Sequence, residues 1–206
     1  MLTFSRSLTV LAVFVLLLPA ALVAQNARVG QPAPQFTATD SQGRMQTLAE
    51  FRGKYVVLEW HNQGCPYTHK HYVSGNMQEL QKTWTGKGVV WFTVISSSPG
   101  QQGYVTAPEE NDYLKKMRAS PTAALLDPDG QIGHLYGAKT TPEMYVINPD
   151  GMLIYEGAID NRPTPVVSDI KGAENYVNDA LTDAMAGKPV TKSYTRSYGC
   201  SVKYRD

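Results

Sequence analysis

Cys65 lies in the stretch NQGCPYTHK, Asn62 to Lys70, directly after an apolar run. Pro66, the next residue, is suited to the first position of a helix. A thiol at a helix N-terminus reacts as the thiolate, because free N–H groups and the helix dipole stabilise the anion. His69 and Lys70 would add positive charge nearby. Such a sulfur can attack a disulfide or a peroxide. The competing reading is an inert packed cysteine, for which Gly-Cys-Pro after a buried strand is an unusual place. The only other cysteine is Cys200, near the end of a tyrosine-rich tail. Three residues after Cys65 stands Thr68, so no second thiol is close in sequence. Cys200 leaves three arrangements open: a redox-active partner that resolves Cys65, a structural disulfide, or a thiol that does not pair with Cys65.

The histidines allow a different chemistry. Cys65 and His69 stand four residues apart, on one face of a helix. Joined by Cys200, His61 or His71, they could hold a soft metal such as copper. His69 and His71, two residues apart, point to different sides. A copper-binding module is therefore an alternative, and the leading expectation is a site with no metal and no cofactor. No glycine-rich phosphate loop, serine nucleophile elbow, nucleic-acid signature, flavin site or nicotinamide site is visible.

The elements that must position these residues read as an α/β order. YVVLEWH, Tyr55 to His61, is a buried strand, bounded by Gly53 and by Gly64-Cys65-Pro66. A helix is expected from about Tyr67 to Trp84, and GVVWFTVISSS is a second buried strand. APEENDYLKKMRA reads as a helix, with Pro108 near its start, acids in the first turn and lysines later. TAALLD is a short strand, QIGHLYG a short helix, and EMYVINPDGMLIYEGAID a hairpin around Asn148-Pro149-Asp150-Gly151. GAENYVNDALTDAMAG is a patterned helix ending at Gly187. Ahead of these, short strands should flank the turn Ser41-Gln42-Gly43. Strands alternating with helices imply parallel pairing, and the late hairpin adds antiparallel edges. The expected architecture is a mixed sheet with helices on both faces. Alternation along the first buried strand puts Glu59 and His61 on one face and Trp60 on the other.

Residues 1–24 read as a signal peptide: Arg6 precedes the uncharged run LTVLAVFVLLLPAALVA, which is short for a membrane span. The expected organisation is that leader, a domain over residues 25–187, and a tail over 188–206 carrying Cys200. The expected location is periplasmic or secreted, without stable membrane insertion once the leader is removed. Such spaces are oxidising and allow disulfides to persist. The 206 residues carry a formal charge of +1 with no basic block, which argues against a nucleic-acid partner.

The stretch VGQPAPQFTATDSQGRMQTLAEFRGKYVVLEWHNQGCPY resembles the opening of the thioredoxin-like redoxins, the AhpC/TSA and peroxiredoxin-like group. The shared pattern is Ala-Pro-x-Phe, a Gly-Lys before an apolar strand, and a cysteine at the next helix start. TTPEMYVINPDG is similar to the cis-proline loop and hairpin of that fold. The resemblance spans about residues 28–187. It implies a thioredoxin-like fold with Pro142 as the cis-proline facing Cys65. Pro66 and Pro142 would line the substrate side, and the Thr141 backbone would offer an edge to an extended polypeptide. It also implies a buried proton-relaying acid at Glu59, six residues before Cys65. Three features depart from the family. Leu58 and Asn62 stand where peroxiredoxins carry Pro and Thr or Ser, and Thr68 stands where thioredoxins carry their second cysteine. The chain also adds a C-terminal YGCSVK. The implied activity is thiol–disulfide exchange or peroxide reduction, with Cys65, Cys200, Glu59 and Thr68 at the site. The implied partners are an exported thiol or disulfide protein, or a peroxide. A thioredoxin-like binding domain without turnover is a further alternative.

Overall fold

The computed structural model describes residues 26–205, so the leader and its reading as a signal lie outside the described residues. In chain order the strands are β1 (Thr37–Thr39), β2 (Met45–Thr47), β3 (Val56–Trp60), β4 (Val90–Ile95), β5 (Ala123–Leu126), β6 (Thr140–Thr141), β7 (Glu143–Ile147), β8 (Leu153–Gly157) and β9 (Cys200–Ser201). The helices are α1 (Pro66–Val73), α2 (Asn76–Thr85), α3 (Ala107–Met117), α4 (Gln131–Tyr136) and α5 (Tyr176–Met185). The main sheet runs in the order β5-β4-β3-β7-β8. β3, β4 and β5 are parallel, while β7 is antiparallel to both β3 and β8. This is the mixed sheet that the alternation of elements predicts.

β3 is the central strand, and all five of its residues are buried. A strand covered on both faces needs an unbroken apolar run, and VVLEW supplies one except at Glu59. Val56, Leu58 and Trp60 point into a core shared with Phe36, Leu48, Ile132 and Tyr136. Val57 points the other way, into a core built with α1, α2 and α5 through Tyr72, Met77, Leu80, Trp84, Val177 and Leu181. Glu59 lies on that second side, where Tyr72 and Trp91 meet it. Each large apolar side chain fully buried in these layers stabilises the fold by about 1.5–3 kcal/mol.

The helix expected over 67–84 is two helices. It breaks at Ser74-Gly75, where Gly75 takes φ 81° and restarts the chain as α2. Only glycine adopts that left-handed backbone without strain. α3 begins with a capping box in which Thr106 and Glu109 satisfy each other's backbone N–H groups. Its neighbour Glu110, read from the sequence as another first-turn acid, turns inward and is fully buried.

The tail is stitched to the domain. Thr195 N–H donates to the Glu156 carbonyl, and the Thr195 hydroxyl accepts from Ala158 N–H at 2.9 Å. Val202 N–H donates to Lys139 O, the Lys203 carbonyl accepts from Ser98 N–H, and Tyr204 hydroxyl donates to Ala138 O at 2.7 Å. Between these anchors β9 pairs antiparallel with β6, placing Cys200 opposite Thr141.

Candidate active site

The loop after β3 is shaped by Asn62. Its side-chain oxygen accepts from Gly64 N–H at 2.8 Å, and its carbonyl accepts from Cys65 N–H at 3.0 Å. Cys65 is left with extended backbone at the N-cap of α1, with Pro66 at the first helical position. The sulfur has no exposed surface. In its thiol form it donates to the Thr141 carbonyl at 3.0 Å. The Thr141–Pro142 peptide bond is cis. Thr141 is buried beneath the tail, and its hydroxyl reaches the Cys200 carbonyl at 3.5 Å.

Tertiary structure thus brings Cys65, Thr68, Thr141, Pro142 and Cys200 together. Both cysteines are free thiols. Burial opposes ionisation of Cys65, yet its thiol is shifted below the ordinary range. The Cys200 thiol, the Thr141 hydroxyl and the Thr68 N–H all donate to the anion, as does the Cys200 N–H. Cys200 shifts the other way, up to about 11, first through burial and then because it is the donor to Cys65 and faces its charge. The partly exposed tail thiol is therefore the harder of the two to ionise and the buried one the easier.

Cys200 is held there by contacts that sequence reasoning missed. Tyr198 hydroxyl donates to the Asp160 carboxylate, and lies 3.4 Å from His71 Nε2. The Lys70 ammonium sits 5.2 Å from the centre of the Tyr198 ring and donates to the Arg162 carbonyl at 2.6 Å. Lys70 is buried in this cluster, so it serves the tail rather than Cys65. His69 is exposed and His71 belongs to the Tyr198 cluster. Among the described residues no group of three His, Cys, Asp or Glu side chains is arranged to hold a metal. No local pattern marks Asp160 or Tyr198; the tyrosine-rich composition of the tail was the only signal.

On the far side of β3, Glu59 is fully buried and accepts from Tyr72 hydroxyl at 2.7 Å, Trp91 Nε1 at 2.8 Å and Gln81 Nε2 at 3.2 Å. His61 shares its face, as alternation requires, with Nδ1 3.7 Å from Glu59 Oε1. Leu58 packs in the opposite core, and Thr68 is buried with its hydroxyl unpartnered.

A family model, described as the AhpC/TSA family, matches residues 29–156. The chain belongs to the AhpC/TSA family. Among curated relatives of this AhpC/TSA chain is the thiol-disulfide oxidoreductase ResA of Bacillus thuringiensis subsp. konkukian. The two are 28% identical over 132 residues, covering 64% of this chain and 70% of the relative. An uncharacterized conserved protein of Geobacillus kaustophilus superposes with a TM-score of 0.73 at 23% identity, over 86% of this chain and 93% of that one. The thioredoxin domain of a thiol-disulfide oxidoreductase from Bacteroides vulgatus superposes with a TM-score of 0.52 at 17% identity, over 71% and 98%. The AhpC/TSA fold here is thioredoxin-like, as the resemblance implied.

Proposed function

We propose that this AhpC/TSA-family oxidoreductase carries out thiol–disulfide exchange, with Cys65 as nucleophile and Cys200 as resolving thiol. The observation that carries the reading is the seating of the Cys200 thiol against the Cys65 sulfur, across the Thr141 edge. The Cys65 thiolate attacks one sulfur of a disulfide. A mixed disulfide forms, and the other substrate sulfur leaves as a thiolate. Cys200, once deprotonated, attacks Cys65 Sγ, forms the Cys65–Cys200 disulfide and releases the second substrate thiol. The substrate gains two electrons and the protein loses two, which an external dithiol restores. Pro66 opens the helix after the nucleophile and Pro142 follows Thr141 through a cis bond; an exchanging chain reaches the Thr141 edge once β9 lifts from it.

A second reading, peroxide reduction, is favoured by one observation: Cys65 has no exposed surface and the Thr141 edge is already occupied by Cys200. A small oxidant fits that closed arrangement better than a protein. The Cys65 thiolate would break the O–O bond, become a sulfenic acid and release water or an alcohol; condensation with Cys200 would release water. The leader-like residues 1–24 support an exported setting, a space in which a Cys65–Cys200 disulfide would persist.

The test is mass spectrometry of the mature protein with thiols trapped by alkylation. It is run without reductant, after dithiothreitol, and after a sub-stoichiometric disulfide or hydrogen peroxide. A reversible loss of two hydrogens mapped to Cys65–Cys200 supports the cycle. Two cysteines that stay separate thiols under every condition, with no adduct at Cys65, refute it. Which oxidant produces the bond faster separates the two readings.

A further inference from the structure

The tail crosses the site as an arch, fixed at both ends and thin between them. At one end Thr195 N–H donates to Glu156 O at 3.1 Å, and the Thr195 carbonyl oxygen would lie 2.1 Å from a Cβ on Gly157. At the other end Val202 N–H donates to Lys139 O at 2.9 Å, Lys203 O accepts from Ser98 N–H at 2.8 Å, and the Tyr204 ring stacks on His134 at 4.1 Å. Between them, among the described residues, Arg196, Ser197, Tyr198 and Gly199 make no backbone–backbone hydrogen bond. Together with Asp160, Asn161 and Pro163 they line a cleft of about 620 Å³. A backbone without such bonds, beside open space, opens at low cost. The middle of the arch is held by Tyr198 on Asp160 and by the two residues of β9.

The arch covers the edge that the functional reading gives to an exchanging polypeptide. β6 is two residues long, and among the described residues it pairs with β9 alone. With the tail in place Thr141 is 2% exposed and Cys65 is 0% exposed. An extended polypeptide binds a strand edge through backbone N–H and C=O groups, and here the tail already uses them. We propose that the tail from Tyr198 to Ser201 determines which disulfides react with Cys65: seated, it favours small ones and excludes extended polypeptides; lifted, it yields the Thr141 edge to a polypeptide. A small disulfide needs a passage to one sulfur, whereas a polypeptide needs the whole edge. The polypeptide rate therefore carries the full cost of lifting the tail, and the small-disulfide rate only part of it. The chemistry is the same for both. Cys65 Sγ bonds to one substrate sulfur, the substrate S–S bond breaks, and the other sulfur leaves with the electron pair as a thiolate. The proposal rests on Cys65 being the nucleophile.

Gly199 offers a way to lift the tail without cutting it. Its φ is +128°, and a Cβ there would meet the Thr141 carbonyl oxygen, a backbone atom of β6, at 2.1 Å. Alanine at this position disfavours the seated tail and leaves both anchors in the chain. Lifting also withdraws the donors of residue 200 from the Cys65 anion, which alters the sulfur toward every substrate alike. The informative quantity is therefore a ratio of two rates, polypeptide over small disulfide, in which that change cancels.

The experiment uses the reduced mature protein carrying Cys200→Ser, which leaves Cys65 as the only thiol and keeps the backbone of β9. Two 2-pyridyl disulfides with the same leaving group are compared, one of N-acetylcysteine amide and one of a short peptide with a central cysteine. Release of pyridine-2-thione is followed in single turnovers, and each rate is divided by that of the same reagent with a free monothiol. The parent chain should favour the single residue. Adding Gly199→Ala should raise the peptide-to-residue ratio by about tenfold, and adding Gly187→Ala instead should leave it unchanged. A folded Gly199→Ala protein with the parent ratio overturns the proposal, as does a parent that takes the peptide as readily as the single residue. Should Gly199→Ala not fold, Tyr198→Phe, which loosens the arch at Asp160, takes its place, and an unraised ratio there overturns the proposal. A parent Cys65 that reacts with neither reagent overturns the functional reading as well, so the two failures are distinct.

Discussion

Gly199→Ala tests the seating of Cys200 most directly. Gly199 has φ +128°, a conformation that L side chains rarely adopt. A Cβ there would lie 2.1 Å from the Thr141 carbonyl oxygen and 2.8 Å from its carbon. These are backbone atoms of the loop that leads into β7, so they cannot swing aside as a side chain would. Holding alanine in that backbone region costs about 1–3 kcal/mol, with the clash in addition. In the reduced protein the tail escapes the strain by lifting from Thr141. In the oxidised protein the Cys65–Cys200 bond forces the tail down and keeps the strain. The disulfide is therefore destabilised relative to the dithiol, and its potential becomes less negative. At roughly 30 mV per 1.4 kcal/mol, the shift is about 20–60 mV. The assay is equilibration in dithiothreitol or glutathione buffers with alkylation trapping. Gly187→Ala is the control: Gly187 also has positive φ, at +72°, but nothing lies within 4 Å of its Cβ position. It should leave the potential unchanged. If Gly199→Ala has the same potential as Gly187→Ala and wild type, the tail is not held to Cys65 through the Thr141 edge.

Cys200→Ala removes the thiol that donates to the Cys65 anion, so the Cys65 midpoint should rise, read from its alkylation profile. The same variant should form no reversible internal disulfide. Tyr198→Phe leaves the buried Asp160 carboxylate without that donor and should lower stability by about 1–3 kcal/mol in denaturant unfolding. It should also slow formation of the Cys65–Cys200 bond. His71 is buried, accepts from Asn76 at Nδ1, and is held down to about 3 by burial and then by Lys70. Its pKa is higher unfolded than folded, so the unfolded chain takes up that proton first as pH falls. Stability should therefore drop as pH falls from about 6.5 toward 3, and the drop should be shallower in His71→Gln than in wild type.

Much of this was legible in the chain, because much of it is local. The strand over Tyr55–His61, the helix start at Pro66 and the hairpin around Asn148–Gly151 each follow from a pattern a few residues long. The shared face of Glu59 and His61 follows from two-residue alternation alone. The break at Gly75 was missed because apolar spacing continues across it, through Tyr72 and Met77 to Trp84. Glu110 was misread because an acid in a first turn suits the helix dipole whether it faces water or the core; packing against β3 decides which.

The sequence by itself determined that a reactive-looking thiol would stand at a helix N-terminus after a buried strand, with no second thiol beside it. Tertiary structure alone decided that the Cys200 thiol lies against the Cys65 sulfur. The two are separated by most of the domain, and their meeting depends on a two-residue strand, β9 on β6. Such a pairing is made by backbone N–H and C=O groups that every residue but proline carries, so no side-chain pattern announces it. What holds it is equally non-local: Tyr198 on Asp160 and His71, Thr195 on Ala158, Val202 on Lys139. Each contact joins the tail to a residue whose position exists only once the sheet has formed.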